Sequence, residues 1–115
     1  LIQLEIKTDI ETKSIFGTLS GNKQPRIVKI DDYYLDLCPA GEMVFIRNLD
    51  KPGLIGNLGT LLGKNGINIA AVALGRNKPG DKAISIWNVD NQVGPEIQEK
   101  IKQLENILTV KVIRA

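Results

Sequence analysis

The segment 48–53 (NLDKPG) contains residue types that could bind a small molecule with two opposite charges. Asp50, Pro52 and Gly53 are typical of a helix start, where several backbone N–H groups lack intrahelical partners. Such N–H groups bind anions, and a glycine leaves the approach free of a side chain. The Asp50 carboxylate beside them could bind an ammonium group, so the turn suits both charges of a free amino acid. The alternative is that Asp50 only caps the helix and Pro-Gly only begins it.

Asn68 is a second candidate for binding, because it stands at the head of an otherwise aliphatic strand pattern over residues 67–76. Asparagine is depleted in strands, which suggests that this amide has a specific partner. The alternative is that the side chain serves the turn after Gly66 through an Asx-type hydrogen bond. The spacing of the residues leaves both interpretations open.

The composition excludes many kinds of chemistry. With no His and 1 Cys, the chain lacks His-based acid–base catalysis, His-containing metal sites and intramolecular disulfides. A net charge of +2 and few aromatic residues argue against nucleic acid as a partner. No glycine-rich nucleotide motif, membrane-spanning apolar run or signal peptide is present. We therefore expect a cytoplasmic binding module with no catalytic residues, no metal and no cofactor of its own.

Residues 1–41 follow the period of two that is typical of strands. Strands are predicted near residues 2–7 and at 14–20, 26–30 and 33–38, and Asp31-Asp32 suggests a hairpin connection between the last two. A few short strands are marginally stable by themselves. Because the chain also begins at Leu1 without a methionine, we expect it to be part of a longer protein and this half to be an incomplete domain.

Residues 42–115 alternate between strand and helix patterns in the order β-α-β-β-α-β. The predicted apolar faces are Leu54, Ile55, Leu58, Leu61 and Leu62 in the first helix and Ile97, Ile101 and Leu104 in the second. This order predicts an α+β fold of the ferredoxin-like type, with an antiparallel sheet and both helices on one face. The other sheet face is expected to contact solvent or a partner.

Glycines at positions 53, 56, 59 and 63 form a stripe opposite the apolar face of the first predicted helix. An interior glycine costs about 1 kcal/mol relative to alanine, so the stripe suggests close approach by another backbone. We therefore expect a homodimer in which this helix lies near its own copy. A solvated helix face is the alternative.

The run VFIRNLDKPGLIGNLGTLLGKNGINIAAVALGR, followed by KAISIWNVD, resembles an ACT domain, the small amino-acid-sensing module of metabolic enzymes. The preceding FGTLSGNKQPRIVKIDDYYLDLCPAG is similar to the end of the intervening domain of long-form D-3-phosphoglycerate dehydrogenases. The resemblance implies two domains: residues 1–41 as a partial intervening domain of the allosteric substrate-binding type, and residues 42–115 as an ACT domain.

The resemblance also implies a function. The chain would be the C-terminal regulatory part of an NAD-dependent dehydrogenase of serine biosynthesis, with NAD bound by catalytic domains outside this sequence. In that family L-serine binds between two ACT domains and gives feedback inhibition, within a homodimer or a tetramer. By position, the effector-binding residues would be Asn48, Asp50, Pro52, Gly53 and Leu54 of one chain and Asn68 of its neighbour.

Two other functions remain open at this point. The chain could be a structural ACT dimerisation module that binds no effector, or the regulatory domain of an iron–sulfur serine dehydratase. A catalytic role for the chain itself is not expected, because no acid and base residues are placed together in the pattern.

Overall fold

The periodicities of the sequence correspond to strands and helices in the computed structural model, which describes residues 2–3, 15–19, 25–30, 33–38, 40–76 and 81–114. The strands are β1 (Ile2–Gln3), β2 (Ile15–Leu19), β3 (Pro25–Ile30), β4 (Tyr33–Leu37), β5 (Glu42–Leu49), β6 (Ile69–Arg76), β7 (Lys82–Val89) and β8 (Ile107–Arg114). The helices are α1 (Leu54–Lys64) and α2 (Pro95–Lys102). No helix among the described residues has the length and apolar character needed to cross a membrane.

The first sheet contains the four amino-terminal strands in the order β1-β2-β3-β4, and all its described pairs are antiparallel. The strands predicted at residues 14–20, 26–30 and 33–38 are confirmed. Only Ile2–Gln3 of the predicted strand near residues 2–7 is described. Residues 4–7 and the predicted Asp31-Asp32 connection lie outside the described part of the chain.

The second sheet has the strand order β6-β7-β5-β8 with antiparallel pairing throughout, which confirms the predicted ferredoxin-like α+β fold. Both helices bury their apolar sides in one cluster with this sheet. The buried members of that cluster are Val44, Ile46, Leu54, Leu58, Leu62, Ile67, Trp87, Val89, Val93, Ile101 and Val110. β5 contributes Val44 and Ile46, two residues apart, as the strand period requires.

The start of α1 differs in detail from the sequence prediction. The N-cap is Gly53, with a φ of 84°, and Leu54 is the first helical residue. Pro52 therefore lies before the helix and not in its first turn. The reason is the left-handed φ at Gly53, which glycine adopts without steric cost and which turns the chain sharply into the helix. The Gly53 carbonyl then accepts the first helical hydrogen bond, from the Asn57 N–H at 2.9 Å.

Helix α2 begins at Pro95, because proline has the φ of a first helical turn and needs no N–H there. It ends at Lys102, so Leu104 lies outside the helix. Leu104 still packs, partly buried, against the apolar cluster. Similarly, Ile55 belongs to the predicted apolar face of α1, yet its side chain is exposed.

The second face of the β6-β7-β5-β8 sheet is covered by the first sheet, and this corrects the expectation that it would contact solvent or a partner. A second apolar cluster joins the two sheets: Ile30, Leu35, Leu37, Met43, Phe45, Ala73, Ile84 and Ile86. The physical reason is that β5 and β7 carry apolar residues on both of their alternating faces. The change of sheet lies between Leu37 and Glu42. The division into two domains at residues 41 and 42 stays a prediction.

Truncation of a buried leucine should test the contribution of the helix-side cluster. Leu58→Ala is expected to lower the free energy of unfolding by about 2–5 kcal/mol, because Leu58 is fully buried in that cluster. Leu108→Ala is the matched control, since Leu108 is 50% exposed on β8, and it should cost under about 1 kcal/mol. Urea unfolding followed by circular dichroism measures both. Equal losses of unfolding free energy in the two variants would contradict the placement of Leu58 in the core.

Candidate functional site

A pocket of about 350 Å³ lies where β5 ends and the chain turns into α1. Its lining comes from this turn and from the ends of two neighbouring strands: Asn48, Asp50, Lys51, Leu54, Ile55, Leu74, Gly75, Ala83 and Ile84. Three of the residues predicted to bind an effector, Asn48, Asp50 and Leu54, therefore lie in one pocket. Its volume lies within the range of small-molecule sites.

Hydrogen bonds from the end of β5 fix the position of the pocket residues. The Leu49 N–H donates to the Asn106 carbonyl at 2.9 Å, and the Asp50 N–H donates to the Asp81 carbonyl at 2.7 Å. Asn48 pairs with Ala83 across the β5–β7 ladder. The corner is thus held by backbone contacts to two other segments, the residue before β8 and the start of β7 with the residue before it. Its side chains are presented on a rigid frame, which is the usual arrangement for a binding site.

Asn48 is a buried polar residue, with 4% of its surface exposed. Its Nδ2 donates to the Leu49 carbonyl at 3.0 Å. Its Oδ1 is buried and has no hydrogen-bond partner among the described residues. A buried acceptor without a partner costs free energy, and such atoms in folded proteins often mark a functional role. This oxygen could accept a hydrogen bond from an ammonium or hydroxyl group placed in the pocket.

The remaining residues of the turn have different positions. Asp50 and Lys51, one acidic and one basic residue, both line the pocket. Pro52 and Gly53 form the exposed turn between Lys51 and Leu54 and do not line the pocket themselves. Their contribution is the direction of the chain, which brings the Leu54 side chain and the start of α1 over the end of β5.

Asn68 lies at the opposite end of the sheet from the pocket. Ile69, the next residue, pairs with Val89, whereas Asn48 pairs with Ala83 at the other end of the same strand β7. An eight-residue strand such as β6 spans about 23 Å from its first residue to its last. A single chain therefore does not bring Asn68 to the pocket.

The Asn68 amide has a partner within its own chain. Its Nδ2 donates to the carboxylate of Asp90, and its backbone N–H donates to Asn91 Oδ1 at 2.8 Å. The Asp90 N–H in turn donates to the Asn68 carbonyl at 3.0 Å. The sequence analysis anticipated a specific partner for this amide, and the structure identifies Asp90, a contact that joins the start of β6 to the end of β7.

The pocket also contains residues that the sequence analysis did not select. Leu74 and Gly75 come from β6, and Ala83 and Ile84 come from β7. Their positions depend on the β5–β7 and β6–β7 registers, which no local motif specifies. Only the structure gives a partial indication of this wall: Leu74 is large and apolar, yet it is 57% exposed at a strand edge.

The ACT domain family model matches residues 43–106 of the chain, which is more than half of its length. The chain belongs to the ACT domain family. The match includes β5, α1, β6, β7 and α2, and all six predicted effector-binding residues lie within it. This membership supports a regulatory role.

Similar proteins include the D-3-phosphoglycerate dehydrogenases of three organisms. The Methanocaldococcus jannaschii protein is 38% identical over 112 residues, 97% of this chain and 21% of that protein. The Archaeoglobus fulgidus protein is 36% identical over 110 residues, 94% of this chain and 21% of that protein. The Bacillus subtilis protein is 32% identical over 112 residues, 97% of this chain and 21% of that protein. The chain thus spans about a fifth of the length of these relatives, and the similarity extends into the first sheet, beyond the ACT domain.

Two buried polar residues of the ACT domain should respond differently to removal of their polar atoms. Asn48→Leu removes a buried acceptor without a partner among the described residues, and this gain offsets the lost bond from Nδ2 to the Leu49 carbonyl, so the free energy of unfolding should change by less than about 1 kcal/mol. Ser85→Ala is the comparison, because Trp87 Nε1 donates to Ser85 Oγ at 2.9 Å. Loss of the Ser85 hydroxyl leaves the buried Trp87 N–H unpaired and should lower the free energy of unfolding by about 1–3 kcal/mol. Urea unfolding measures both variants. A loss of stability at Asn48→Leu as large as at Ser85→Ala would show that Asn48 stabilises the free chain.

Proposed function

We propose that the chain is an amino-acid-sensing regulatory module of a D-3-phosphoglycerate dehydrogenase, which binds L-serine between two copies of its ACT domain and thereby gives feedback inhibition. The module has no catalytic residues of its own. Oxidation with NAD as cofactor belongs to domains of the whole enzyme outside this sequence, and the enzyme acts in the cytoplasm. The similarity to dehydrogenases from three organisms over nearly the whole chain supports the assignment to that enzyme.

The composition of the pocket is the observation that carries the proposal. Asp50 provides a carboxylate for the ammonium group of an amino acid. Backbone N–H groups at the start of α1, together with the ammonium of Lys51, suit its carboxylate. Asn48 Oδ1, which has no partner within the described ranges, provides an acceptor for a ligand N–H or O–H. These groups face an apolar wall that includes Leu74 and Ala83, so the pocket combines the two charges with room for a small side chain.

The position of β6 supports a second copy of the chain as the other half of the site. β6 is an edge strand of the sheet, and Val72 and Leu74 on it are 39% and 57% exposed. Two edges that pair about a two-fold axis must run antiparallel, because the same surface meets itself. With the axis near Val72, the partner's Asn68 would lie opposite Arg76. It would then stand beside Leu74 and Gly75, at the side of the pocket.

Such a shared site couples ligand binding to the arrangement of the two chains. An effector that contacts both copies stabilises the arrangement in which both sets of contacts are made. By linkage, that arrangement in turn binds the effector more tightly. Feedback inhibition would follow if the catalytic domains of the whole enzyme were less active in the effector-bound arrangement, in a dimer or in a tetramer built from dimers.

A structural dimerisation module that binds no effector is the second candidate function. The hydrogen bond from Asn68 Nδ2 to the Asp90 carboxylate favours it, because this amide already has a partner within its own chain. In that case the β6 edge would still pair with its copy, while the pocket would remain without a ligand. Dimerisation and effector binding therefore need separate tests.

Calorimetry with L-serine, glycine and L-alanine tests effector binding. L-serine should bind to the chain, and Asp50→Ala should weaken binding about ten-fold or more, because a charge-assisted hydrogen bond is worth about 1.5–3 kcal/mol. Glu105→Ala is the matched control, since Glu105 is an exposed carboxylate outside the pocket. Loss of binding at Asp50→Ala with the dimer intact supports sensing. No heat from any of the three amino acids would favour the structural alternative.

A charge on the β6 edge tests the proposed dimer. Val72→Lys should weaken self-association, because a lysine on a pairing edge opposes strand addition, and two copies would bring two lysines together at the axis. Leu108→Lys introduces the same charge at an exposed position on β8, the other edge of the sheet, and should leave association unchanged. Sedimentation velocity over a range of concentrations measures both. A Val72→Lys chain that associates as well as the unmodified one would exclude pairing through β6.

A further inference from the structure

Strand β6 contacts the proposed effector pocket and the first sheet at adjacent residues. Leu74 and Gly75 both line the pocket. On the opposite side, Gly75 lies against β4 so closely that a Cβ atom at this position would be 3.1 Å from Tyr33 Cβ and 3.2 Å from the Tyr34 carbonyl oxygen. A side chain at position 75 would therefore force β4 to shift, and the glycine allows the pocket strand and the first sheet to lie close together.

The two sides of β6 differ in how firmly they are packed. Among the described residues, β6 forms ladder hydrogen bonds with β7 alone, which leaves its other edge to the proposed second copy. Val72 and Leu74, on the helix side, are partly exposed. On the other side, Ala73 is buried in one cluster with Leu35 and Leu37 of β4. Within one chain, β6 is therefore packed more loosely on the helix side than on the side of β4.

We propose that β6 transmits occupancy of the effector pocket to the first sheet. This inference rests on the proposed function, because it requires a ligand in the pocket. A bound ligand moves Leu74 and Gly75 relative to Asn48 and Leu54, and Gly75 moves β4 with it, since Gly75 has no side chain that could change its rotamer and absorb the displacement. Close-packed contacts of this kind transmit strain because they cannot deform continuously.

The far end of β4 is held in place, which determines how the strand moves. Asn88 of β7 donates from its Nδ2 to the Cys38 carbonyl at 3.0 Å, directly after the end of β4. Asn88 pairs with Met43, at the end of the sheet away from the pocket. β4 is thus fixed near Cys38 and contacts β6 near Tyr33. A displacement at Gly75 would rotate β4 about its Cys38 end and change its position most at Tyr33 and Tyr34.

Amide NMR of the 115-residue chain tests the transmission. Titration with L-serine should shift the amide signals of Asp50 and Leu54 in the pocket and, to a comparable extent, those of Tyr33 and Leu35 in β4. The amides of Val112 and Ile113 on β8 pair with Val44 and Met43, at the end of the sheet away from the pocket, so they are internal controls and should move least. Shifts in the pocket with none in β4 would overturn the inference and leave effector binding intact.

Substitutions on β4 test the same coupling in the opposite direction, because coupling between two sites is reciprocal. Tyr33→Gly removes the Cβ atom nearest to position 75 and the packing of Tyr33 on the second apolar cluster, without touching the pocket, and it should change the L-serine affinity about five-fold or more. Tyr34→Gly is the matched control, since the Tyr34 side chain is 72% exposed and its backbone oxygen is the atom near Gly75. Equal affinities in the two variants, both folded by circular dichroism, would overturn the inference.

A ligand-free comparison separates failure of this inference from failure of the proposed function. Leu74→Ala alters the pocket side of β6, and it should shift the amides of Tyr33 and Leu35 even without an effector. Leu108→Ala makes the same change on the other edge strand and should not. If no amino acid shifts the pocket amides, the proposed function fails, and the comparison of Leu74→Ala with Leu108→Ala then tests the coupling by itself. If the β4 amides of Leu74→Ala do not shift, coupling between β6 and the first sheet is excluded.

Discussion

Burial of β5 and β7 on both faces is the constraint on which the rest of the structure depends. Val44, Phe45 and Ile46 are successive residues of β5, and none is more than 1% exposed. Successive side chains of a strand point to opposite faces, so this sheet needs a covering layer on each side. Each fully buried large apolar side chain contributes about 1.5–3 kcal/mol, which makes leaving either face uncovered costly. The helices form one layer, and the first sheet forms the other.

The candidate site lies where this two-sided burial ends. Val44, Ile46 and Asn48 share one face of β5, and Asn48 is the first polar residue in that series. It remains buried, yet its Oδ1 has no hydrogen-bond partner in the described part of the chain. The ACT domain thus places an unsatisfied acceptor at the edge of a well-packed cluster. This is the arrangement expected of a binding site that is completed by its ligand, at some cost to the stability of the free chain.

The sheet order also explains why the proposed site requires two chains. β6 is an edge strand, its start carries Asn68, and its end lines the pocket. These two features are separated by the length of the strand within one chain. Antiparallel pairing of β6 with its copy would place the start of β6 in one chain beside the end of β6 in the other chain. The glycine at position 75 then gives the same strand a contact with the first sheet, so one strand would serve the pocket, the dimer and the neighbouring sheet.

Much of the architecture is readable from local patterns in the sequence. The period of two in the strands and the helical spacing of the leucines in α1 reflect which side chains face the cores, so they predict the β-α-β-β-α-β order and the ferredoxin-like fold. The turn at residues 48–54 was recognisable as a candidate site because helix-start chemistry is encoded in neighbouring residues. The N-cap at Gly53 was not anticipated, because the backbone conformation at a corner depends on where the strand and helix are held.

Features that join distant parts of the chain were decided by the tertiary structure alone. The pocket walls at Leu74 and Ala83 depend on strand register, and the Asn68 contact with Asp90 depends on which strand lies beside β6. The cover of the second sheet face by β3 and β4 was not predicted either. Alternation specifies that a face is apolar, but it carries no information about which surface covers it. That choice depends on how complementary shapes pack in three dimensions, which no single stretch of sequence records.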